Sequence, residues 1–324
     1  MSLLDTRDHF KPFEYPEFYD IWVKAHASHW SPFEVQMGGD IDDWKTKLTD
    51  AEKNVVGNIL KGFVAMETHV EDYWASKVGR WFKKIEIQMV AHTFASFESI
   101  HSIGYALLND SLGLDDYKAF MNDEATYARI KRMMEVQGKS KQDIARSLAI
   151  FSGFVEGVSL FSSFAVLLSF SKRNLLKNVG QIIAWSVLDE QLHSQTGILL
   201  FNLFRKEYPA IWTDELKRDI YEAARLTVKL EDDFIDKVLE LGEIEGISKA
   251  DLKAFMRYRA NDRLKAMGLK SNWTNIDKEA IDRMSWFNTL VNGQSMVDFF
   301  ALKETSYSKN ILDFNEVWSD DDKA

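Results

Sequence analysis

The chain contains no cysteine. Disulfides, thiolate zinc sites and iron–sulfur clusters are therefore excluded. Any metal must be held by Glu, Asp or His, and His occurs seven times. Proline is nearly as scarce, confined to Pro12, Pro16, Pro32 and Pro209. Proline is the strongest helix breaker, so the uninterrupted span between Pro32 and Pro209 permits long helices. Sustained period-two alternation is missing, and no Asn-Gly turn sits between Val/Ile runs, which argues against a sheet. The first residues lack the apolar run of a signal peptide. The longest apolar stretch, 157–170, is shorter than a membrane span and follows Glu156. A soluble, cytoplasmic protein is the expectation. Basic residues are outnumbered 40 to 50, for a net charge of −10. Such a balance is a poor basis for binding nucleic acid or a membrane surface, and neither is expected as a partner.

What is present is apolar and helical in pattern. The chain has 324 residues, 46% of them hydrophobic, enough for a sizeable core. Thr49-Asp50-Ala51-Glu52 reads as a helix start, and that helix is expected to run to about 77. Further helices are expected over 85–109, 117–137, 141–170, 179–207, 213–241 and 249–267. Gly138-Lys139-Ser140 and Lys172-Arg173-Asn174 read as short breaks. The stretch 151–170 is apolar nearly all round, which belongs in the middle of a bundle. The first 48 residues read as an irregular, aromatic-rich wrap carrying Trp22, Trp30 and Trp44. The whole of 1–300 reads as one all-α domain. The last stretch, 301–324, is acidic with isolated aromatics, and reads as a flexible tail that docks on a partner.

The chemistry sits in two repeated patterns. Glu98 and His101 are three residues apart, and Tyr105 follows four later. On a helix these steps turn through about 300° and 400°, so all three share a face. Glu190 and His193 repeat the Glu-x-x-His spacing. Bundles that hold two metal ions use one Glu from each of two helices and a Glu-x-x-His from each of two others. Glu67 lies 31 residues before Glu98, and Glu156 lies 34 before Glu190. Both halves of the pattern thus occur in order. Four carboxylates and two imidazoles neutralise and bridge two divalent ions and leave positions open for oxygen. Glu156, in an apolar helix, needs a partner or a metal in any case.

Other residues admit two readings. Tyr105 is either a core tyrosine or a side chain that a metal pair can oxidise. Leu160 and Phe164, one and two turns after Glu156, fit an apolar pocket around it. Asp189 is either a partner for the distal nitrogen of a ligating His or a solvated aspartate. Glu71, one turn after Glu67, is either a competing ligand or an exposed charge. His69 and His92 lack partners at ligand spacing, and His9, His26 and His29 receive no role.

These segments together resemble the small, radical-generating subunit of class I ribonucleotide reductase, of the ferritin-like superfamily. The resemblance is carried by Phe97-Glu98-Ser99-Ile100-His101 with Tyr105, by Glu156-Gly157-Val158-Ser159-Leu160-Phe161, and by Asp189-Glu190-Gln191-Leu192-His193. His29-Trp30-Ser31-Pro32-Phe33-Glu34, Tyr258-Arg259-Ala260-Asn261 with Leu264, Trp286, and Phe299-Phe300 followed by Tyr307 extend it over nearly the whole chain. It implies a ferritin-like helical bundle, assembled as a homodimer with a dinuclear centre in each chain. It implies Glu67, Glu98, His101, Glu156, Glu190 and His193 as ligands and Tyr105 as the site of a tyrosyl radical. It implies a transfer route through His101, Asp189 and Trp30 to Tyr307 on the tail, and from there to a cysteine of the large subunit, which reduces ribonucleotides to deoxyribonucleotides. A cysteine-free chain fits that division of labour. The metals implied are iron first, with dimanganese or mixed manganese–iron as alternatives, because the first ligand is Glu67 where the common diiron branches have Asp. One dimanganese branch has Lys where this chain has Glu71. A flavoprotein activator belongs to some branches. The competing expectations are a related ligand-binding oxidase or dimetal oxygenase that needs no partner, and a ferritin-type iron store.

Overall fold

The computed structural model describes residues 2–114 and 140–291. The helix expected over 117–137 and the tail over 301–324, with Tyr307, lie outside the described residues. Among the described residues the regular elements are helices, and the one β-type pairing is an isolated bridge between Ile244 and Ile247.

Four helices make the centre. The first, α3, spans Asp50–Asp72 and starts as its sequence predicts. Thr49 Oγ1 accepts from the Glu52 backbone N–H while the Glu52 carboxylate accepts from Thr49 N, which satisfies two donors that a helix start leaves open. The second, α4, spans Ile85–Leu112 and ends at Gly113, whose φ of 71° closes the helix with a left-handed residue. The third strand of the bundle is composite. It consists of α5 (Lys141–Ile150), a π-helical segment (Phe151–Ser159) and α6 (Phe161–Lys172). The fourth, α7, spans Lys177–Glu207. Helix α3 packs on α4, α7 packs on the composite helix, and α4 meets α7 across the middle. Two further helices, α8 (Asp214–Val238) and α9 (Lys249–Ala266), pack on each other and on the composite helix. The short α10 (Lys278–Arg283) and α11 (Ser285–Val291) follow.

Two expectations are corrected. The stretch 141–170 is not one α-helix: its middle is π-helical. A π-helical turn leaves backbone carbonyls poorly paired, and here side chains from elsewhere take them up. Arg259 donates to Gly157 O from Nε (3.0 Å) and Nη2 (2.8 Å), and Ser194 Oγ donates to Ser152 O at 2.6 Å. The helix from 49 likewise turns π-helical over Tyr73–Val78 and ends in a turn at Gly79–Trp81. The second correction concerns the N-terminal wrap. It holds two helices, α1 (Pro16–Ala27) and α2 (Gly38–Thr46). Pro16 occupies the first helical turn, where its missing N–H costs nothing and its fixed φ helps. Helix α1 lies against α4 and α7.

Lys141–Lys172 is long and apolar enough in composition to cross a membrane, at a mean hydropathy of 1.7, but 89% of its apolar window is buried inside the protein. It is the core helix of this bundle.

The start of α7 has no cap of its own, because Leu176 sits in a left-handed conformation with φ 47°. Helix α2 supplies the cap. Asp40 accepts from the backbone N–H of Asn178 and Val179 and from Asn178 Nδ2, and Asp43 accepts from Leu176 N. Asp40→Ala should therefore lower the free energy of unfolding by about 2–3 kcal/mol, the range for bonds to a charged acceptor whose donors then stay buried. Urea denaturation of the two proteins measures this, and a loss below about 0.5 kcal/mol would mean that water replaces the cap.

Candidate metal centre

The bundle brings all six sequence-predicted ligand residues to one place. Glu67 comes from α3, Glu98 and His101 from α4, Glu156 from the π-helical segment, and Glu190 and His193 from α7. All six are buried. They form two overlapping quartets, Glu67–Glu98–His101–Glu190 and Glu98–Glu156–Glu190–His193, with donor atoms within 4.8 Å of one another in each. Glu98 and Glu190 belong to both quartets. The two Nδ1 atoms face the carboxylates. His101 Nδ1 lies 3.0 Å from Glu98 Oε2 and 3.2 Å from Glu190 Oε1. His193 Nδ1 lies 2.9 Å from Glu98 Oε1, off hydrogen-bonding alignment.

The donor set fits two divalent ions on a direct observation. Both oxygens of Glu67, both of Glu190, Oε1 of Glu98, Oε2 of Glu156 and both ring nitrogens of His193 are buried without a hydrogen bond among the described residues. Folded proteins carry few such orphans, and each costs desolvation free energy. Four glutamates carry −4 and two divalent ions carry +4, so the pair neutralises the cluster. Two carboxylates about 5 Å apart repel by about 3 kcal/mol at an effective dielectric of 20. A few such repulsions would use up the ~5–15 kcal/mol by which a domain is stable.

The electrostatics of the protein alone show the same tension. Burial pushes Glu67 well above the usual carboxylate range, and the charges of Glu98 and Glu190 push it further. Burial raises Glu156 likewise, followed by Glu190 and Glu98. Glu190 is raised by burial and then by Glu98. Burial also pushes Glu98 upward, but the imidazoles of His193 and His101 outweigh it and hold Glu98 below the usual range. Burial disfavours a charged His101, yet Glu98, Asp189 and Glu190 around it prevail and raise it.

A line of contacts leaves the cluster. The distal nitrogen of His101, Nε2, meets Asp189 Oδ2 at 3.2 Å, and the same oxygen accepts from Trp30 Nε1 at 2.8 Å. The Trp30 ring lies nearly parallel to His101, 5.8 Å away, and leans on Trp185 at 5.2 Å. Asp189 is buried, so its reading as a solvated aspartate falls away. Tyr105 is fully buried, 6.1 Å from His101 and 4.8 Å from Phe63 between ring centroids. Among the described residues its hydroxyl makes no well-aligned hydrogen bond, though Ser186 lies close enough to pull its pKa down slightly. Burial, then Glu67, push that phenol well above its usual pKa.

A family model described as ribonucleotide reductase, small chain, matches residues 7–279. The chain belongs to this family. A probable ribonucleoside-diphosphate reductase small subunit of Invertebrate iridescent virus 6 is 33% identical, across 98% of this chain and 99% of its own. Among solved structures, the dimanganese(II) NrdF of Streptococcus sanguinis superposes with a TM-score of 0.76 at 21% identity, over 90% of this chain and all of its own. The Rnr4 homodimer of Saccharomyces cerevisiae superposes at 0.71 and 19% identity, over 85% and 88%. At these identities the solved structures show that the fold is shared.

Within this ribonucleotide reductase small chain the remaining candidates resolve as follows. Glu71 is exposed and outside both quartets, so it is no competing ligand. His9, His26, His29 and His92 join neither quartet, and the side chain of His69 is among those not described. Phe164 is buried against Phe63 at 5.2 Å, and Phe63 is the ring that contacts Tyr105. One residue at the centre escapes sequence reasoning. Trp74 donates from Nε1 to Glu156 Oε1 at 2.5 Å. A tryptophan in an apolar helix reads as ordinary core, and only its place seven residues after Glu67, almost two full turns, marks it as facing the same way.

A pH dependence follows. Glu67, Glu156, Glu190 and His101 hold their protons more tightly folded than unfolded, and Glu98 alone does the reverse. The metal-free fold therefore has this stability in full below the ordinary carboxylate value of 4.5 and loses it as pH rises through the raised values. The melting temperature of metal-free protein should fall as pH rises above the ordinary carboxylate value of 4.5, and excess manganese(II) should offset the fall by replacing protons. Calorimetry with and without metal checks this; a metal-free midpoint that rises with pH contradicts it.

Proposed function

We propose that the six residues hold two divalent metal ions and that the chain supplies an oxidising equivalent to a ribonucleotide reductase large subunit. The observation that carries this reading is the unbroken line from the two-ion cluster through His101, Asp189 and Trp30. A self-sufficient oxidase or an iron store has no need of such a line. When bound, a redox-active metal pair supplies oxidising power derived from an oxygen species.

The chain's own residues do the rest. Glu67, Glu98, Glu156 and Glu190 would hold the ions through their carboxylates, and His101 and His193 would do so through Nδ1. Asp189 fixes the tautomer of His101 by holding the proton on Nε2. The same carboxylate holds Trp30 Nε1–H, so that an electron leaving the indole has a proton acceptor already in contact. Tyr105 keeps its phenolic proton in an apolar, water-excluding pocket, the setting that protects an oxidised side chain and gives it the radical role. Iron is the first choice of metal, with dimanganese and manganese–iron as alternatives. Glu67 and the absence of a Lys at position 71 both bear on that choice, and on whether a flavoprotein delivers the oxidant.

Beyond the described residues, the acidic tail 301–324 docks on the large subunit and Tyr307 carries the equivalent across. The thiols that reduce the ribonucleotide belong to that partner, since this chain has none. Assembly is as a homodimer, the state of the yeast neighbour. The cytoplasm is the compartment in which the substrate nucleotides are met.

The chain alone should reduce no nucleotide. With a large subunit and metal it should produce deoxyribonucleotides. Trp30→Phe and Tyr307→Phe should fold, bind two ions per chain and show only background turnover. Full activity of either variant removes that residue from the route. Turnover of a small apolar substrate without any partner would favour the oxidase reading instead.

A further inference from the structure

Trp74 lies in the π-helical turn Tyr73–Val78 that follows α3. Its indole crosses to the composite helix and donates to Glu156 Oε1. The ring stands edge-on to Phe94, with centroids 4.9 Å apart, and to His193 at 6.0 Å. Next to it, Tyr73 stacks on Phe151 at 3.6 Å and 13°. Phe151 opens the π-helical segment that carries Glu156. The stack thus pins the two π-helical segments to each other, and Trp74 is held at a fixed reach from Glu156.

The hydrogen bond makes the two ends of the cluster unlike. Among the described residues, both oxygens of Glu67 lack a hydrogen bond, whereas at Glu156 only Oε2 does. An indole N–H donates and cannot accept, so it stays on an oxygen and holds the carboxylate plane. We propose that Trp74 is a positioning residue that makes Glu156 a one-oxygen ligand and so sets the ion position on the Glu156–His193 side apart in affinity from the one on the Glu67–His101 side. The inference rests on the two-ion reading above. Without the N–H, Glu156 is free to turn both oxygens inward, and the Glu156–His193 position loses its preset geometry.

The test is a manganese(II) titration of metal-free full-length protein, following free ion by electron paramagnetic resonance. Wild type should bind two ions per chain. Trp74→Phe should loosen one of them by about 10–100-fold, the usual effect of removing a ligand's outer hydrogen-bond partner, and leave the other within about threefold. In a Glu156→Gln background the same substitution should add nothing, because its effect runs through that carboxylate. If Trp74→Phe unfolds the metal-free protein, Trp74→Met fills the space with a flexible apolar chain and carries the same expectation. Unchanged binding, equal weakening of both ions, or full additivity with Glu156→Gln would overturn the proposal while leaving the two-ion reading intact. Binding of fewer than two ions by wild type would overturn both.

Discussion

Mutual repulsion among four buried carboxylates is the constraint on which this structure turns. No apolar packing relieves it. Each glutamate lies in a helix that also contributes to the core, so the bundle can close only if charge at its centre is neutralised. Protons do this in the metal-free state, as the raised values of Glu67, Glu156 and Glu190 show. Two divalent ions would do it better, because each would satisfy several oxygens at once. The site is thus a liability of the fold that becomes an asset when it binds metal.

The helices adapt to that centre through their irregular segments. The π-helical stretch around Glu156 leaves carbonyls exposed, and Arg259 and Ser194 take them up. Arg259 is itself buried, with no hydrogen-bonded carboxylate among the described residues; Gly157 O, Gln191 Oε1 and the face of Phe161 surround it. Burial and the nearby Arg263 pull its pKa down. Helix α9 thereby braces the back of the ligand-bearing segment. Close approach is needed there: a Cβ at Gly157 would lie 2.7 Å from Ser194 Oγ and 2.9 Å from Arg263 Cδ. Only glycine lets α7 and α9 come this near to Glu156.

Much of the centre was legible in the sequence because ligand spacing and helix period are the same fact. Glu98–His101 and Glu190–His193 had to share faces once their segments were helical, and the capping box at Thr49 marked where α3 begins. The π-helical turns were not legible. Phe151–Ser159 is apolar enough around Glu156 to hide an added residue per turn, and Tyr73–Val78 is too short to show one. Pro16 gave no clear sign of α1, because proline both breaks helices and starts them. Leu176 in a left-handed conformation has no local signal, since the Asp40 that stabilises the following helix lies in a different element. Trp30 and Asp189 are 159 residues apart, so their bond came within reach of the sequence only through the family resemblance.

The oxygen shared by His101 and Trp30 has a consequence for how the protein matures. Asp189 Oδ2 receives one donor from the metal cluster and one from the N-terminal segment, so two distant parts of the chain close on a single atom. Until Trp30 is seated, Asp189 has lost one of its two fixed partners and His101 is less firmly oriented. Seating the N-terminal arm on the bundle therefore also completes the support of His101.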